Sequence, residues 1–224
     1  MIIAIDGPAA SGKSTAARSL AKRLGITFLD TGAMYRAVTL EVLRRDVGPT
    51  DAAACTAVAE AIELSFDADG RILIDGEPGE PDVRSKEVTA RVSEVAAHSG
   101  VRHAMVAVQR RIGESASGDD AGGALRGVVA EGRDMTSVVF PDADLKVFLV
   151  ASARERARRR AEEEGHPERA AEYEADLARR DAYDSGREDS PLVLVEGALR
   201  LETDDLTPEE VLQRLLREVE ARRS

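Results

Sequence analysis

The sequence has no tryptophan, no asparagine and a single cysteine, and aromatic residues make up only 3% of its 224 residues. The lone cysteine, Cys55, excludes an internal disulfide and any metal site built from several cysteines. It lies in an alanine-rich helical stretch, where we expect it to be a small core residue. No apolar stretch approaches the roughly 20 residues that cross a membrane, and the N-terminus is typical of a strand rather than of a secretion signal. We therefore expect a cytoplasmic protein without membrane contacts.

The sequence also has no excess of positively charged residues. The formal net charge is −11 at pH 7, which argues against a general binder of nucleic acids, because phosphate backbones are held by basic surfaces. Any anionic ligand must therefore meet local clusters of arginine. Arginine far outnumbers lysine, and glutamine occurs only as Gln109 and Gln213. A hot habitat and a GC-rich genome would each give this composition, and the sequence does not separate the two.

The first fifteen residues contain the most specific motif of the chain. The apolar run from Ile2 to Ile5 is typical of a buried parallel strand, and it leads directly into a GxxxxGK[ST] phosphate-binding loop. The loop consists of Gly7, Pro8, Ala9, Ala10, Ser11, Gly12, Lys13, Ser14 and Thr15. In such a loop the lysine reaches the β- and γ-phosphates of a nucleotide, and the serine hydroxyl ligates Mg²⁺. The alternative is a structural glycine-rich turn, but the strand before it and the amphipathic helix after it favour a nucleoside triphosphate site.

Short apolar runs alternate with helical patterns along the rest of the chain. Further core strands are predicted at 26–29, 125–130, 145–150 and 198–201, with 192–195 a weaker candidate. Helical spacing predicts helices at 13–24, 33–45 and 50–62 and a last one after Thr207. It also predicts two helical segments within 86–111, with Gly100 between them, and a largely helical stretch at 154–187. We therefore expect an α/β fold, a doubly wound parallel five-stranded sheet of the P-loop NTPase type with helical flanks. Its ligand would lie in the crevice above the carboxyl ends of the strands.

Residues 63–83 interrupt this alternation. Two short runs with alternating apolar residues flank the turn residues 67–70, a combination that predicts a β-hairpin. A hairpin within a strand-helix chain indicates an inserted subdomain. At 224 residues the chain has room for one core with such an insertion, whereas two independent domains would be cramped.

Two predicted strands end in charged residues. The stretch from Asp30 to Arg36 places a hydroxyl and a guanidinium near a helix N-terminus, which suits an anion, although a helix cap with a surface arginine is the alternative. In the stretch from Glu131 to Asp134, the carboxylate of Glu131 can contact Mg²⁺ or its waters and Arg133 can clamp a phosphoryl oxygen. A local ion pair is the alternative there, and the spacing alone does not decide between them.

An arginine-rich stretch covers residues 154–187. Many of its arginines have glutamate partners at helical spacing: Arg158 with Glu162, Arg159 with Glu163 and Arg160 with Glu164. Most of these arginines are therefore expected on a solvated helix face. The same composition also suits a charged flap that closes over phosphates and excludes water.

Together these stretches resemble the bacterial cytidylate kinase family. The matching motifs are Gly-Pro-Ala-Ala-Ser-Gly-Lys-Ser at 7–14, Leu-Asp-Thr-Gly-Ala-Met-Tyr-Arg at 29–36, Gly-Arg-Asp-Met at 132–135, Val-Val-Phe-Pro-Asp-Ala at 138–143, Arg-Asp-Ala-Tyr-Asp-Ser-Gly-Arg at 180–187 and Ser-Pro-Leu at 190–192. They cover nearly the whole chain and stand in the family's order. The resemblance implies a kinase that transfers the γ-phosphoryl group of MgATP to CMP or dCMP. It also implies a core at 1–30, 103–150 and 192–224, an NMP-binding insert at about 31–102 and a helical lid at about 151–191.

The resemblance also implies roles for single residues. It assigns the acceptor phosphate to Thr31, Arg36 and Arg133, cytosine to Ser93, Arg102 and Asp134, and the sugar to Asp184. Arg180 and Arg187 match lid arginines that close on the phosphates or the base, and they join Lys13 and Arg133 as the implied catalytic set. Arg156 and Arg160 match the arginine pattern at the start of the lid, and the resemblance assigns them to ATP. Because one chain carries every site, we expect a monomer that uses ATP, CMP or dCMP, and Mg²⁺ held by Ser14 and Glu131.

The sequence departs from the family pattern at two places. Thr136-Ser137 stands where the family commonly has Gly-Thr, and Glu202 replaces the usual aspartate near the adenine end. Another small P-loop kinase, acting on AMP, UMP or a polyol acid, is the nearest alternative. An alternative from a different class is a nucleotide-switched GTPase or regulatory ATPase. A chain without asparagine cannot carry the Asn-Lys-x-Asp motif by which the usual GTPases recognise guanine.

Overall fold

The computed structural model describes residues 1–67, 69–117, 126–186 and 189–223. The chain divides into two compact units: unit 1 consists of Met1–Phe28 and Ala116–Ser224, and unit 2 consists of Leu29–Ser115. The strands are β1 (Ile2–Asp6), β2 (Thr27–Asp30), β3 (Leu64–Phe66), β4 (Ile72–Ile74), β5 (Glu77–Pro78), β6 (Val128–Gly132), β7 (Leu145–Val150) and β8 (Leu199–Glu202). The helices are α1 (Lys13–Leu24), α2 (Thr31–Arg44), α3 (Ala52–Ala61), α4 (Lys86–Val95), α5 (Ser99–Ser117), α6 (Ala153–Glu163), α7 (Ala170–Ser185) and α8 (Pro208–Arg223).

A parallel five-stranded sheet with the strand order β2-β6-β1-β7-β8 confirms the predicted fold class. β1 lies between β6 and β7, and its Asp6 is aligned with Gly132 at the end of β6. Because the strands are parallel, the loops after β1 and β6 leave the sheet side by side. The phosphate loop therefore lies next to the segment that begins with Arg133.

Two of the predicted strands differ from those observed. β6 begins at Val128 and ends at Gly132, later than the predicted 125–130, because its residues pair in register with Ile2–Asp6 of β1. Leu125 lies outside the described residues. Residues 192–195 form no strand, and the last core strand is β8, the better of the two candidates.

The core of unit 1 is apolar and lies between the sheet and the helices α1 and α8. Its buried side chains are Ile3, Ile5, Ala16, Ala17, Leu20, Ala21, Val129, Leu145, Val147, Leu149, Leu201, Val211, Leu215 and Val219. Short polar side chains begin several of the helices. Ser152 accepts the N–H of Glu155 at the start of α6, and Thr207 and Glu210 exchange hydrogen bonds at the start of α8.

Unit 2 contains the predicted hairpin, extended by a third short strand into an antiparallel sheet with the order β3-β4-β5. Helix α2 packs against α3, α4 and β4. Cys55 is fully buried, which confirms that it is a small core residue. Among the described residues, no helix is both long enough and apolar enough to span a membrane.

Candidate active site

The phosphate loop of unit 1 depends on two glycines with backbone conformations that other residues rarely adopt. Gly7 has a φ angle of 151°, and a Cβ atom there would lie 2.3 Å from the carbonyl oxygen of Leu149. Gly12 has a φ angle of 89° and directly precedes α1. The predicted strand, loop and helix are therefore all present, and the N–H groups at the start of α1 can bind an anion.

Lys13, at the end of this loop, is buried and can bind an anion. Its Nζ atom donates a 2.7 Å hydrogen bond to the carbonyl oxygen of Pro8. Burial, together with the positive charges of Arg133 and Arg180, lowers the pKa of Lys13 to about 7, although Glu131 and Asp6 act in the opposite direction. Triphosphate oxygens near the ammonium group would favour its charged form.

Ser14 and Glu131 are brought together from α1 and β6. The hydroxyl group of Ser14 donates a 2.7 Å hydrogen bond to Oε1 of Glu131, whose side chain is almost fully buried. Both groups present oxygen, which is the ligand type that Mg²⁺ prefers. Among the described residues there is no group of three or more His, Cys, Asp or Glu side chains that could hold a metal alone. A magnesium ion here would therefore take most of its ligands from phosphates and water.

Arg133 and Asp184, two residues predicted to bind the acceptor, form an ion pair. Nε of Arg133 donates a 2.8 Å hydrogen bond to Oδ2 of Asp184 on α7, and the Asp184 side chain is 3% exposed. The neighbouring Asp134 is also buried. Arg187 lies outside the described residues.

Asp6, at the end of β1, is a buried carboxylate that belongs to none of the sequence motifs. Its carboxylate accepts hydrogen bonds from the N–H groups of Met135 and Thr136 and from the Thr136 hydroxyl. Burial raises the pKa of Asp6, and the hydrogen bonds from Thr136 oppose this shift. The detectable signal in the sequence is a single aspartate that ends an otherwise apolar strand.

The arginines of α6 have different surroundings. Arg156 is buried and has partners on the phosphate loop and on α7. Arg160 pairs with Glu163 and Glu164, as expected of a solvated face. The expected pairing of Arg159 with Glu163 is wrong, because Arg159 pairs with Glu155 instead.

Arg159 extends from α6 towards the phosphate loop. Its Nη1 and Nη2 atoms donate to Oγ1 and to the main-chain oxygen of Thr203, after β8. A Cβ atom on Gly12 would lie 3.7 Å from Nη1 of Arg159. The sequence motifs did not identify Arg159 as a neighbour of this loop, because the helical spacing offered glutamate partners, and Arg159 does pair with one of them, Glu155.

In unit 2, the stretch from Asp30 to Arg36 forms the start of α2. Asp30 caps this helix by accepting the N–H of Ala33, and it also pairs with Arg84 at 3.3 Å. Thr31 is the first residue of the helix and is buried. Arg36 donates a 2.8 Å hydrogen bond to the hydroxyl of Thr89 on α4. The capping interpretation of Asp30 is therefore confirmed, and the phosphate-binding roles of Thr31 and Arg36 stay predictions.

The residues assigned to cytosine within unit 2 lie on α4 and α5. Ser93 is half-buried on α4, one turn after Thr89, and Arg102 is buried on α5. Nη1 of Arg102 donates to the carbonyl oxygen of Ala96, and its guanidinium group lies 5.4 Å from the centre of the Tyr35 ring. Packing against an aromatic ring suits a planar guanidinium group that must stay oriented in a buried position.

Comparison with known proteins places the sequence with one family. The pattern described as cytidylate kinase matches residues 3–221. The chain is 47% identical over 229 residues to the bifunctional pantoate ligase/cytidylate kinase of Parasynechococcus marenigrum, covering 99% of this chain and 44% of that protein. It is 44% identical over 216 residues to the cytidylate kinase of Caldanaerobacter subterraneus, covering 95% of this chain and 92% of that protein. The chain therefore spans less than half the length of the first relative and nearly all of the second.

Solved structures are similar in fold at low sequence identity. An uncharacterized protein from Eubacterium ventriosum has a TM-score of 0.53 and 12% identity, with 99% of each chain covered. A sugar kinase from Janibacter has a TM-score of 0.50 and 15% identity, covering 98% of this chain and 94% of its own. Both support the fold and carry no information on the substrate.

Proposed function

Since the chain belongs to the cytidylate kinase family, we propose that it transfers the γ-phosphoryl group of MgATP to CMP or dCMP, giving ADP and CDP or dCDP. The observation that carries the proposal is the arrangement of Lys13 and Ser14 in the phosphate loop, with the Ser14 hydroxyl 2.7 Å from Glu131 of the neighbouring strand. This arrangement provides a cation for the phosphates and two oxygens for their metal ion.

The reaction needs alignment and charge neutralisation more than acid-base chemistry. The phosphate of a nucleoside monophosphate is already an anionic nucleophile at neutral pH, so no strong general base is required. The protein must hold two polyanions in line and offset their repulsion. Lys13, Arg133 and Arg180 supply positive charge for this purpose, and Arg187 is assigned to the same task.

Magnesium is proposed as the metal that accompanies ATP. The Ser14 hydroxyl and the Glu131 carboxylate would hold it, directly or through water. When bound, the ion would neutralise charge on the β- and γ-phosphates. The buried position of Glu131 fits this role, because a nearby cation would compensate for a carboxylate removed from bulk water.

The acceptor assignments follow from the family and from the chemistry of cytosine. A carboxylate such as Asp134 suits the exocyclic amino group, whereas Arg102 and Ser93 suit the ring acceptors. Thr31, Arg36 and Arg133 are proposed to hold the acceptor phosphate, and Asp184 the sugar. On the donor side, Arg160 is proposed to contact ATP, whereas Arg156, whose three guanidinium nitrogens all have protein partners, is proposed to support the ATP-binding loop. In this proposal residues 31–102 serve as the NMP-binding insert and residues 151–191 as the lid.

ADP formation tests the proposal, measured in a coupled assay with MgATP and, separately, CMP, dCMP, UMP, AMP or no acceptor. We expect turnover with CMP and dCMP that Asp134→Ala and Arg102→Ala abolish. Arg91→Ala is the matched control, because Arg91 is an exposed arginine of α4 paired with Glu94. Preference for another acceptor would keep the phosphoryl transfer and refute the base assignments. Slow turnover regardless of the acceptor would favour a nucleotide switch.

A further inference from the structure

We propose that Arg156 is a positioning residue, which holds the phosphate loop in its nucleotide-binding shape through an ion pair with Asp181 on α7. The inference rests on the proposed binding of ATP by this loop, and it is independent of the identity of the acceptor. It gives the buried Arg156 a role that needs no direct contact with ATP.

The contacts of Arg156 join three separate segments of unit 1. Nη1 donates a 3.2 Å hydrogen bond to the carbonyl oxygen of Ala9 in the phosphate loop, and Nε donates a 3.1 Å bond to the carbonyl oxygen of Ala151 before α6. Nη2 lies 2.6 Å from Oδ2 of Asp181. Each of the three guanidinium nitrogens therefore has a protein partner, and the side chain is only 7% exposed.

The hydrogen bond to Ala9 lies next to a residue of the loop with a strained backbone conformation. Ala10 has a φ angle of 59°, a left-handed conformation that alanine adopts only when its surroundings impose it. The peptide unit between Ala9 and Ala10 is planar, so holding the carbonyl group of Ala9 also sets the direction of the Ala10 N–H. N–H groups of such a loop form the cradle that receives phosphate oxygens.

The ion pair with Asp181 connects this support to α7. The small apolar cluster of Ala9, Ala157 and Leu177 also packs the phosphate loop against α6 and α7. Asp181 directly follows Arg180, which is close enough to Lys13 to contribute to its low pKa. The rigid, planar fork of arginine can serve three acceptors at once, whereas the single ammonium group of lysine cannot reproduce that geometry.

The test is the affinity for MgATP without any acceptor, measured by titration calorimetry on the whole protein. The variants are Arg156→Lys, Asp181→Asn and the double variant, each accompanied by a thermal unfolding curve. Asp176→Asn and Arg158→Lys are the controls: they make the same chemical changes on α7 and α6 at exposed side chains that pair locally with Arg179 and with Glu155 and Glu162.

We expect each single variant to raise the Kd for MgATP about tenfold and the double variant to add little more, because the two side chains act as one unit. The controls should stay within about twofold, as surface ion pairs contribute little. The direction in which Asp181→Asn changes the Kd for MgATP is the most discriminating expectation. Removing a negative charge near a polyanion site would by itself tighten binding, so a weaker affinity requires the positioning role.

Two results would overturn the inference while the proposed function stands. If Arg156 were a direct ligand of ATP, Arg156→Lys would weaken binding and Asp181→Asn would leave it unchanged or tighter. If the pair were merely structural, both variants would unfold at lower temperature with unchanged affinity. Should Arg156→Lys fail to fold, Asp181→Asn alone still distinguishes these outcomes. A wild-type protein that bound no MgATP would refute the proposed function together with the inference.

Discussion

The hydroxyl group of Thr136 donates a 2.6 Å hydrogen bond to the carboxylate of Asp6, a residue 130 positions earlier in the chain. The same carboxylate accepts the N–H groups of Met135 and Thr136. These bonds fasten the turn after β6, which carries Asp134, to the end of β1. The Thr136 side chain therefore adds a hydrogen-bond donor next to a buried carboxylate.

Thr136→Val should lower the free energy of unfolding by about 1.5–3 kcal/mol at pH 7, the usual contribution of a hydrogen bond to a charged group. Thr136→Ser keeps the hydroxyl and should lose much less. Urea unfolding of the two variants measures the difference. Equal losses would mean that the hydroxyl bond contributes nothing.

The cost of Thr136→Val should also depend on pH. Burial raises the pKa of Asp6 above its ordinary value of 3.8, and the Thr136 hydroxyl is the strongest opposing influence. A carboxyl group whose pKa is higher in the folded protein than in the unfolded chain lowers the free energy of unfolding when it ionises. That free energy is therefore highest below the ordinary pKa and falls as the pH rises through the raised pKa of the folded protein. The valine variant, with a still higher pKa, should therefore approach the stability of the wild type below pH 3.8. A cost independent of pH would contradict this linkage.

MgATP binding should be accompanied by proton uptake at Lys13. The pKa of Lys13 is lowered from 10.5 to about 7 in the protein without nucleotide, so between these pH values the amine is largely neutral. Bound phosphates favour the charged form, and at about pH 8.5 the uptake should approach one proton per ATP. Titration calorimetry in buffers of different ionisation enthalpy measures it.

Lys13→Arg provides the control for the proton measurement. Arginine stays protonated at every accessible pH, so the variant should bind MgATP without this uptake. The same uptake in the arginine variant would mean that the proton goes to another group.

Glu131→Gln should raise the Mg²⁺ concentration needed for half-maximal ADP formation about tenfold, because the amide oxygen is a neutral and weaker ligand than the carboxylate. Saturating Mg²⁺ should restore part of the turnover. A magnesium titration at fixed ATP measures this, with Glu209→Gln on the surface of α8 as the control. An unchanged magnesium dependence would refute the assignment of Glu131.

Asp184→Ala should remove turnover with CMP and destabilise the protein by about 3–5 kcal/mol, since it leaves the guanidinium of Arg133 without its ion-pair partner. Arg133→Met combined with Asp184→Leu removes both charges. It should recover much of the stability and none of the activity. Chemical denaturation and the coupled assay measure the two properties separately, and a double variant less stable than Asp184→Ala would contradict the ion-pair explanation.

Local patterns in the sequence were sufficient for the class of fold and for the phosphate loop. The apolar run of β1, the glycines at positions 7 and 12 and the helix that follows are set by neighbours in the chain, and each was predicted at its observed place. The hairpin at 64–74 and the capping box of Thr207 and Glu210 are local in the same sense. Periodicity, turn residues and caps act over a few residues, so they can be read from a single chain.

Only the tertiary structure decided which distant segments meet. The register of β6 against β1 places Glu131 within a strand instead of after it. Arg159 keeps a glutamate partner at helical spacing, Glu155, and it also binds Thr203, 44 positions away, because β8 ends beside α6. The hydrogen bonds from Thr136 to Asp6 and from Arg156 to Ala9 likewise join segments that are distant in the sequence. Local spacing determines which partners a side chain can reach along its own helix. Which partner it reaches in another segment depends on how the two segments pack in the folded protein, and no local pattern contains that information.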